Sequence, residues 1–325
     1  MDWFEHITGF PESDYARTRD HLVWEGTELV SRRDGSRHQA GRFELVSLAE
    51  LRSRPSAAMK GDRTTVHTVV GDARALHAEP EYRDATFQVA SQFNVLEMPG
   101  PGVTPEDGVS GYAFDHTQGP ACAMAAGAAT IWRNYVAPVP ANDAGPGQTA
   151  QHQLDGLRPL GDSLAAALAC SLQSLWTMRN GYALCTQDGL AALAQHLHGL
   201  TEEDRNTLRG QLSVGVQREA DVTDMPAGQR HRVTQVFCSA LPVAYSSLRQ
   251  ADWQPFAQLV LEAAYEATFL AALETCARMG PRPLLLTRVG AGAFGNRAAW
   301  IDAAIERALR LFADAGLDVR LVRYG

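Results

Sequence analysis

Leu284-Leu285-Leu286-Thr287-Arg288-Val289-Gly290-Ala291-Gly292-Ala293-Phe294-Gly295-Asn296 runs from an apolar segment of strand length into three glycines, and a helical pattern starts at once. Glycine at a strand-to-helix turn lets bare backbone N–H groups approach an anion, and the helix N-terminus adds partial positive charge. The stretch predicts a phosphate-bearing ligand. Gly290, Gly292 and Gly295 also spell G-x-G-x-x-G, but a Rossmann domain needs further βα units and an acidic residue ending the next strand. Here one helix follows, with Trp300, Ile301, Ala304, Ile305, Ala308 and Phe312 on one face, then one strand at 319–322. Asp318 opens that strand instead of ending it, so topology argues against a hydride-transfer enzyme.

Working outward, strands are expected at 66–70, 86–94, 182–186, 212–217, 233–240, 284–289 and 319–322. Helices are expected at 120–132, 160–176, 190–196, 202–209, 256–279 and 297–313. Their alternation predicts an α/β fold: a mixed, largely buried sheet flanked by helices on both faces. Residues 1–60 read as an α+β extension, with a short helix within 12–23 and a hairpin in which 28–33 and 41–47 flank Asp34-Gly35-Ser36. A short helical pattern at 48–52 and a polar connector at 53–63 complete it. Residues 138–153 read as a loop, and Trp176 to Gly181 as a helix end stopped by glycine.

The chain has 325 residues, 45% of them hydrophobic, and a formal charge of −8. That supports a sizeable core, and the absence of a long Lys/Arg run argues against a nucleic-acid partner. No uncharged window of about 18 apolar residues and no signal-peptide pattern at the start predict a cytoplasmic protein without a membrane span. The cysteines Cys122, Cys170, Cys185, Cys238 and Cys276 are widely spaced in apolar settings, as buried thiols are. Cys122, beside a Gly-Pro helix start, is the one placed for a lowered pKa.

A second anion-site candidate is Thr117-Gln118-Gly119-Pro120, where Pro120 suits the first helical turn and Gly119 lets backbone approach a ligand. By itself the segment also describes a tight turn before a small-residue packing helix. Two such helix starts in one sheet describe the two sides of a pyrophosphate clamp. Between the strand at 86–94 and the Gly119-Pro120 helix start lies the acidic loop Thr104-Pro105-Glu106-Asp107-Gly108 … Asp115-His116. Its carboxylates could bind a cation, orient a water or hold a ribose; alternatively Asp107 makes an Asp-Gly turn and Asp115 caps a short segment.

The order of these pieces resembles the macrodomain family, which binds ADP-ribose. Val69-Val70-Gly71-Asp72-Ala73 occupies the place of its first strand and Gly-Asp. Ser91-Gln92-Phe93-Asn94 matches its Asn-bearing strand end, and Gly290 to Gly295 matches its last loop. The run Phe93-Asn94-x-Leu96-Glu97-Met98 … Asp115-x-Thr117-Gln118-Gly119-Pro120 resembles a divergent branch of macrodomain-like ADP-ribosylhydrolases, which includes a bacterial effector acting on ADP-ribosylated ubiquitin. The first loop here is longer, acidic and less glycine-rich than in ordinary macrodomains, so their catalytic residues do not transfer by position.

The resemblance implies an ADP-ribose-binding catalytic domain over 65–325. Asp72 would accept the adenine amine, Asn94 would contact the distal ribose, and Phe294 would pack on it. Ala73, Thr117, Gln118, Gly119, Gly290, Ala291, Gly292, Ala293, Gly295 and Asn296 complete the expected ligand site. Asp107 and Asp115 are the expected catalytic pair, stabilising oxocarbenium character and positioning water. The expected activity is removal of ADP-ribose from a modified protein, arginine-linked or on ubiquitin, with no cofactor or metal. The alternative is a non-catalytic ADP-ribose reader. His116 is a further proton-transfer candidate in the loop, and Tyr245 a candidate ligand flank.

Overall fold

Apolar runs bounded by turn residues become strands, and the helical periods between them become crossovers. The computed structural model describes residues 2–54, 62–140, 145–225 and 229–324. Its strands are β1 (Leu22–Glu25), β2 (Glu28–Ser31), β3 (Arg37–Gln39), β4 (Arg42–Ser47), β5 (Thr65–Val70), β6 (Thr86–Ala90), β7 (Trp176–Arg179), β8 (Tyr182–Cys185), β9 (Ser213–Asp221), β10 (Arg232–Cys238), β11 (Pro283–Leu286) and β12 (Asp318–Arg323). Seven of them form one sheet in the order β4-β9-β10-β6-β11-β12-β5. β10, β6, β11, β12 and β5 run parallel, while β9 is antiparallel to both its neighbours.

Side chains along the central strands alternate between two cores. Val236, Cys238, Leu284 and Leu286 face Phe256, Val260 and Ala264 of the helix Gln250–Met279. Phe87, Val89, Phe237 and Leu285 face the other way, towards Ala73, Leu76 and Cys122. The mixed sheet therefore carries helices on both faces, as expected. Gln250–Met279 is long and apolar enough to cross a membrane, but 89% of its most apolar window is buried inside the protein, where it is the central core helix.

The N-terminal extension is fused to this body. Phe4, Ile7 and Phe10 pack with Met124, Ala128, Ile131 and Tyr135 into a third apolar layer. Burying one such phenylalanine is worth about 1.5–3 kcal/mol. The hairpin expected from 28–33 and 41–47 is built differently: β2 pairs with β3 across Asp34-Gly35-Ser36, whereas 42–47 is β4, the edge strand paired with β9. β4 alternates polar and apolar residues, and β9 offered it a free edge, a long-range choice that turn chemistry cannot reveal.

Three helix boundaries also differ. The 120–132 pattern divides into Gln118–Ala125 and Gly127–Tyr135, because Ala126 leaves helical geometry and Gly127 N–H donates to Thr223 Oγ1 at 2.9 Å. The 160–176 pattern becomes Arg158–Ala167 and Leu172–Leu175. Trp176 to Gly181 is no helix end: β7 and β8 form a hairpin turning at Asn180 and Gly181, whose φ angles of 47° and 78° give the twist such a turn needs. Most of the expected connector at 53–63 and residues 141–144 of the loop at 138–153 lie outside the described residues.

Candidate functional site

β6, β10 and β11 lie side by side at the centre of the sheet and end together. In open α/β sheets the crevice beyond the carboxyl ends of such strands is where ligands bind. Here it is a half-open cleft with an empty volume of about 850 Å³, framed by Ser91 and Gln92 after β6, Ala240 after β10 and the glycine loop after β11. β6 is shorter than the expected 86–94 because Gln92 turns the chain out of the sheet. Its backbone N–H donates to the Leu96 carbonyl, its Oε1 accepts from Met98 N–H at 2.7 Å, and Val95 takes a φ of 60°.

The two glycine-bearing turns face one another across this cleft. Gly119 has no side chain because a Cβ would stand 2.7 Å from the Ala90 carbonyl oxygen, so glycine docks the helix start onto the end of β6. The Gln118 amide is spent on the same docking: its Oε1 accepts from Ala90 N–H at 3.1 Å. No side chain caps the helix, so first-turn N–H groups have neither an intrahelical acceptor nor a side-chain cap where Gln118 and Gly119 line the cleft. On the other side Gly290 (φ 80°) and Gly295 (φ 69°) shape the last loop, while Gly292 has open space around it. Asn296 staples that loop, its Nδ2 donating to the Leu241 carbonyl at 2.8 Å.

Three aromatic rings from separate elements form one wall. Tyr182 of β8 lies 5.1 Å from Tyr245 and 5.3 Å from Phe294 between ring centroids, and its hydroxyl donates to the Met98 carbonyl at 2.7 Å. Arg288 also lines the cleft; its guanidinium is paired with Asp302 and donates to the Ala298 carbonyl.

Two carboxyl groups line the cleft, in opposite surroundings. Asp115 is partly exposed and accepts the Thr117 N–H at 2.8 Å, so it sits directly before the helix start. Glu97 is buried, with 2% exposure. Its partner Arg133 is fully buried, stacked 3.7 Å from the Phe237 ring centre, and donates through Nη2 at 3.2 Å. Burial pushes the Glu97 carboxyl up to about 7, against the opposing pull of Arg133.

Of the expected site residues, the structure brings Asp115, Thr117, Gln118, Gly119, Gly290, Gly292, Ala293 and Phe294 together around the cleft, and Tyr245 joins them. Ala291, Gly295 and Asn296 belong to the same loop but fall outside the lining. Asp107 is elsewhere: its carboxylate closes the turn Pro105–Asp107 by accepting from Thr104 N–H at 2.7 Å. Asp72 caps the helix Ala73–Ala78 through Ala75 N–H, and Ala73 is packed beneath it. Asn94 is buried, bonded to Gln153 and to Leu96 N–H, away from the cleft lining. His116 is exposed and outside the lining. The expectation of a lowered Cys122 pKa is overturned: the thiol is fully buried, and desolvation raises it well above the ordinary range. Among the described residues no three His, Cys, Asp or Glu side chains group in a way that could hold a metal ion.

Glu97, Arg288 and Tyr182 line the cleft without having been singled out by pattern. Glu97 stood in the quoted Leu96-Glu97-Met98 run, where its spacing from the acidic loop carried no signal. Glu12 is a second surprise. From the N-terminal segment it accepts the N–H groups of Val109 (2.9 Å) and Ser110 (2.6 Å) and the Tyr135 hydroxyl (2.7 Å), anchoring the acidic loop.

No protein-family model and no curated protein matches the chain. Among solved structures it is similar to poly(ADP-ribose) glycohydrolase from Thermomonospora curvata, at 16% identity and a TM-score of 0.44, covering 94% of this chain and 88% of that one. It is also similar to the Deinococcus radiodurans enzyme in complex with ADP-ribose, at 12% identity and a TM-score of 0.43, covering 88% of each chain. The Thermomonospora curvata enzyme bound to the inhibitor ADP-HPD matches at 16% identity and a TM-score of 0.40, with the same coverage as the first.

Proposed function

We propose that the cleft binds ADP-ribose and that the protein is a hydrolase of the glycosidic bond joining ADP-ribose to a modified protein. One observation carries the reading. An uncapped helix start and an open glycine loop oppose each other over the carboxyl ends of β6, β10 and β11, with the Asp115 carboxylate beside them. Backbone N–H groups on two sides suit a diphosphate. The Tyr182, Tyr245 and Phe294 rings, tilted against one another, offer an apolar aromatic wall for a ribose or base. Asp115 then stands where a carboxylate would stabilise positive charge building at an anomeric carbon, or orient the attacking water. Asp107 contributes by holding the loop that presents Asp115.

The proposed carrier is a protein modified on arginine, with ubiquitin as the first to assay, and the N-terminal extension is proposed to recognise it. The test begins with calorimetric titration of ADP-ribose against AMP. Tighter binding of ADP-ribose is expected. Asp115→Ala should keep that affinity and lose release of ADP-ribose from modified protein; Asp107→Ala should reduce release less. Asp72→Asn preserves the helix cap while altering the acceptor, so weaker ADP-ribose binding by that variant would place adenine there. Absence of binding at millimolar ADP-ribose sinks the proposal. Binding by a wild type that releases nothing from any modified protein would leave a reader.

A further inference from the structure

Glu97 is a carboxyl that the fold carries to the cleft without giving it a complete structural partnership. It lines the cleft beside Met98 and Gly119, and a Cβ on Gly119 would stand 3.3 Å from its Cγ. The bare glycine thus lets the helix start close over it. An ion pair built for stability is two-pronged, with every guanidinium N–H satisfied. Arg133 instead meets Glu97 through Nη2 alone, 3.2 Å from one oxygen and 3.5 Å from the other. Nε is taken by the Val95 carbonyl, and Nη1 is buried with no partner. The anionic form of Glu97 therefore has few hydrogen bonds to offset its burial, and desolvation favours the protonated carboxyl against the pull of Arg133.

The other titratable groups facing Glu97 give it no further charge. Tyr112, from the turn Ser110–Phe114, accepts the Glu97 backbone N–H at 3.0 Å, and Cys122 approaches from the helix Gln118–Ala125. Burial raises the pKa of both, so neither carries charge near neutrality. Two carboxyl groups in one cleft, one buried and one at the mouth, are the arrangement that divides acid from base.

We propose that Glu97 is the general acid of the hydrolysis. The inference rests on the hydrolase reading above. As the bond from the anomeric carbon to the leaving atom breaks, the electron pair goes to that atom and Glu97 supplies its proton. The water oxygen bonds to the anomeric carbon, and Asp115 accepts the proton that water releases. One water is added across the bond, and the two carboxyl groups reset by exchanging protons with solvent. The reaction loses its acid as the pH rises past the Glu97 pKa.

The deciding experiment compares two substrates: ADP-ribosylated protein, and an ADP-ribose glycoside of a nitrophenol, whose leaving group departs without a proton. Glu97→Gln should lower kcat on the protein substrate by about 10²–10⁴-fold yet stay within a few-fold of wild type on the nitrophenyl glycoside. ADP-ribose affinity should be unchanged. Equal loss on both substrates, or no loss on the protein substrate, overturns the assignment. Wild type alone gives a second readout if the variant does not fold. Its kcat should fall above about pH 7 on modified protein but not on the activated glycoside, and matching alkaline limbs would overturn the assignment. If wild type binds ADP-ribose but hydrolyses neither substrate, the hydrolase reading itself fails, which these outcomes keep distinct.

Discussion

Gly290 and Gly292 stand two residues apart in one loop and should answer alanine in opposite ways. Gly290 has a φ of 80°, and a Cβ there would overlap Ala240 Cβ and stand 2.9 Å from Asn296 Nδ2. That amide is the group tying the loop to Leu241, so it cannot retreat without giving up its hydrogen bond. Left-handed backbone costs an L-residue about 1–2 kcal/mol, and forced overlap in a packed region about 1–3 more. Gly290→Ala should therefore destabilise the fold by about 2–5 kcal/mol. An unfolding entropy near 2.1 cal/mol/K per residue makes the whole chain lose about 0.7 kcal/mol per kelvin, so Tm should drop about 3–7 °C.

Gly292 has no atom within 4 Å of where its Cβ would stand, and its φ is not positive. Gly292→Ala should stay within about 0.5 kcal/mol of wild type, less than about 1 °C in Tm. It should weaken ADP-ribose binding, because its methyl enters the space left for the ligand. Thermal melts by circular dichroism, followed by calorimetric titration of the folded variant, separate the two effects. Equal melting points, or a larger drop for Gly292→Ala, would refute this division of the motif into one glycine for shape and one for approach.

Two further outcomes follow from anchoring contacts. Glu12→Ala leaves two N–H groups and a hydroxyl without their acceptor; hydrogen exchange at Val109 and Ser110 should accelerate and stability fall by about 2–4 kcal/mol. Unchanged exchange there would show that the loop holds itself. Glu44 is held down to about 2 first by its hydrogen bonds with Arg54 and then by Arg218, against a cost of burial. Its folded pKa is depressed, so its contribution is present above about 4.5 and lost as pH falls towards 2. Glu44→Gln should narrow the stability difference between pH 5 and pH 2 in denaturant titrations, and parallel pH curves for the two proteins would exclude the effect.

Much of the frame was legible in local sequence because its signals are local. Apolar runs of strand length, the long 256–279 helical period and the glycines after Leu286 mark β11, the core helix and the last loop. Each depends on periodicity or backbone freedom within a dozen residues. The alternation of strands and helices then determined the layering, since helices on both faces are how a buried parallel sheet covers itself.

The tertiary structure decided which polar groups are chemically available. Asp107, Asp72 and Asn94 have the side chains that the expected roles require, yet each is bonded to backbone or side-chain groups outside the cleft lining. Glu97 gained its character from Arg133, 36 positions away, and from burial under Gly119. The aromatic wall joins Tyr182, Tyr245 and Phe294, and the acidic loop is anchored by Glu12 from 97 positions upstream. Sequence alone therefore determined the central strands, their covering helices and the glycine turns, because backbone conformation answers to near neighbours, whereas the β4 edge needed the long-range pairing with β9. Only the assembled fold decided which carboxyl is buried and which stays partly exposed, because desolvation and pairing are set by groups the chain brings together from afar.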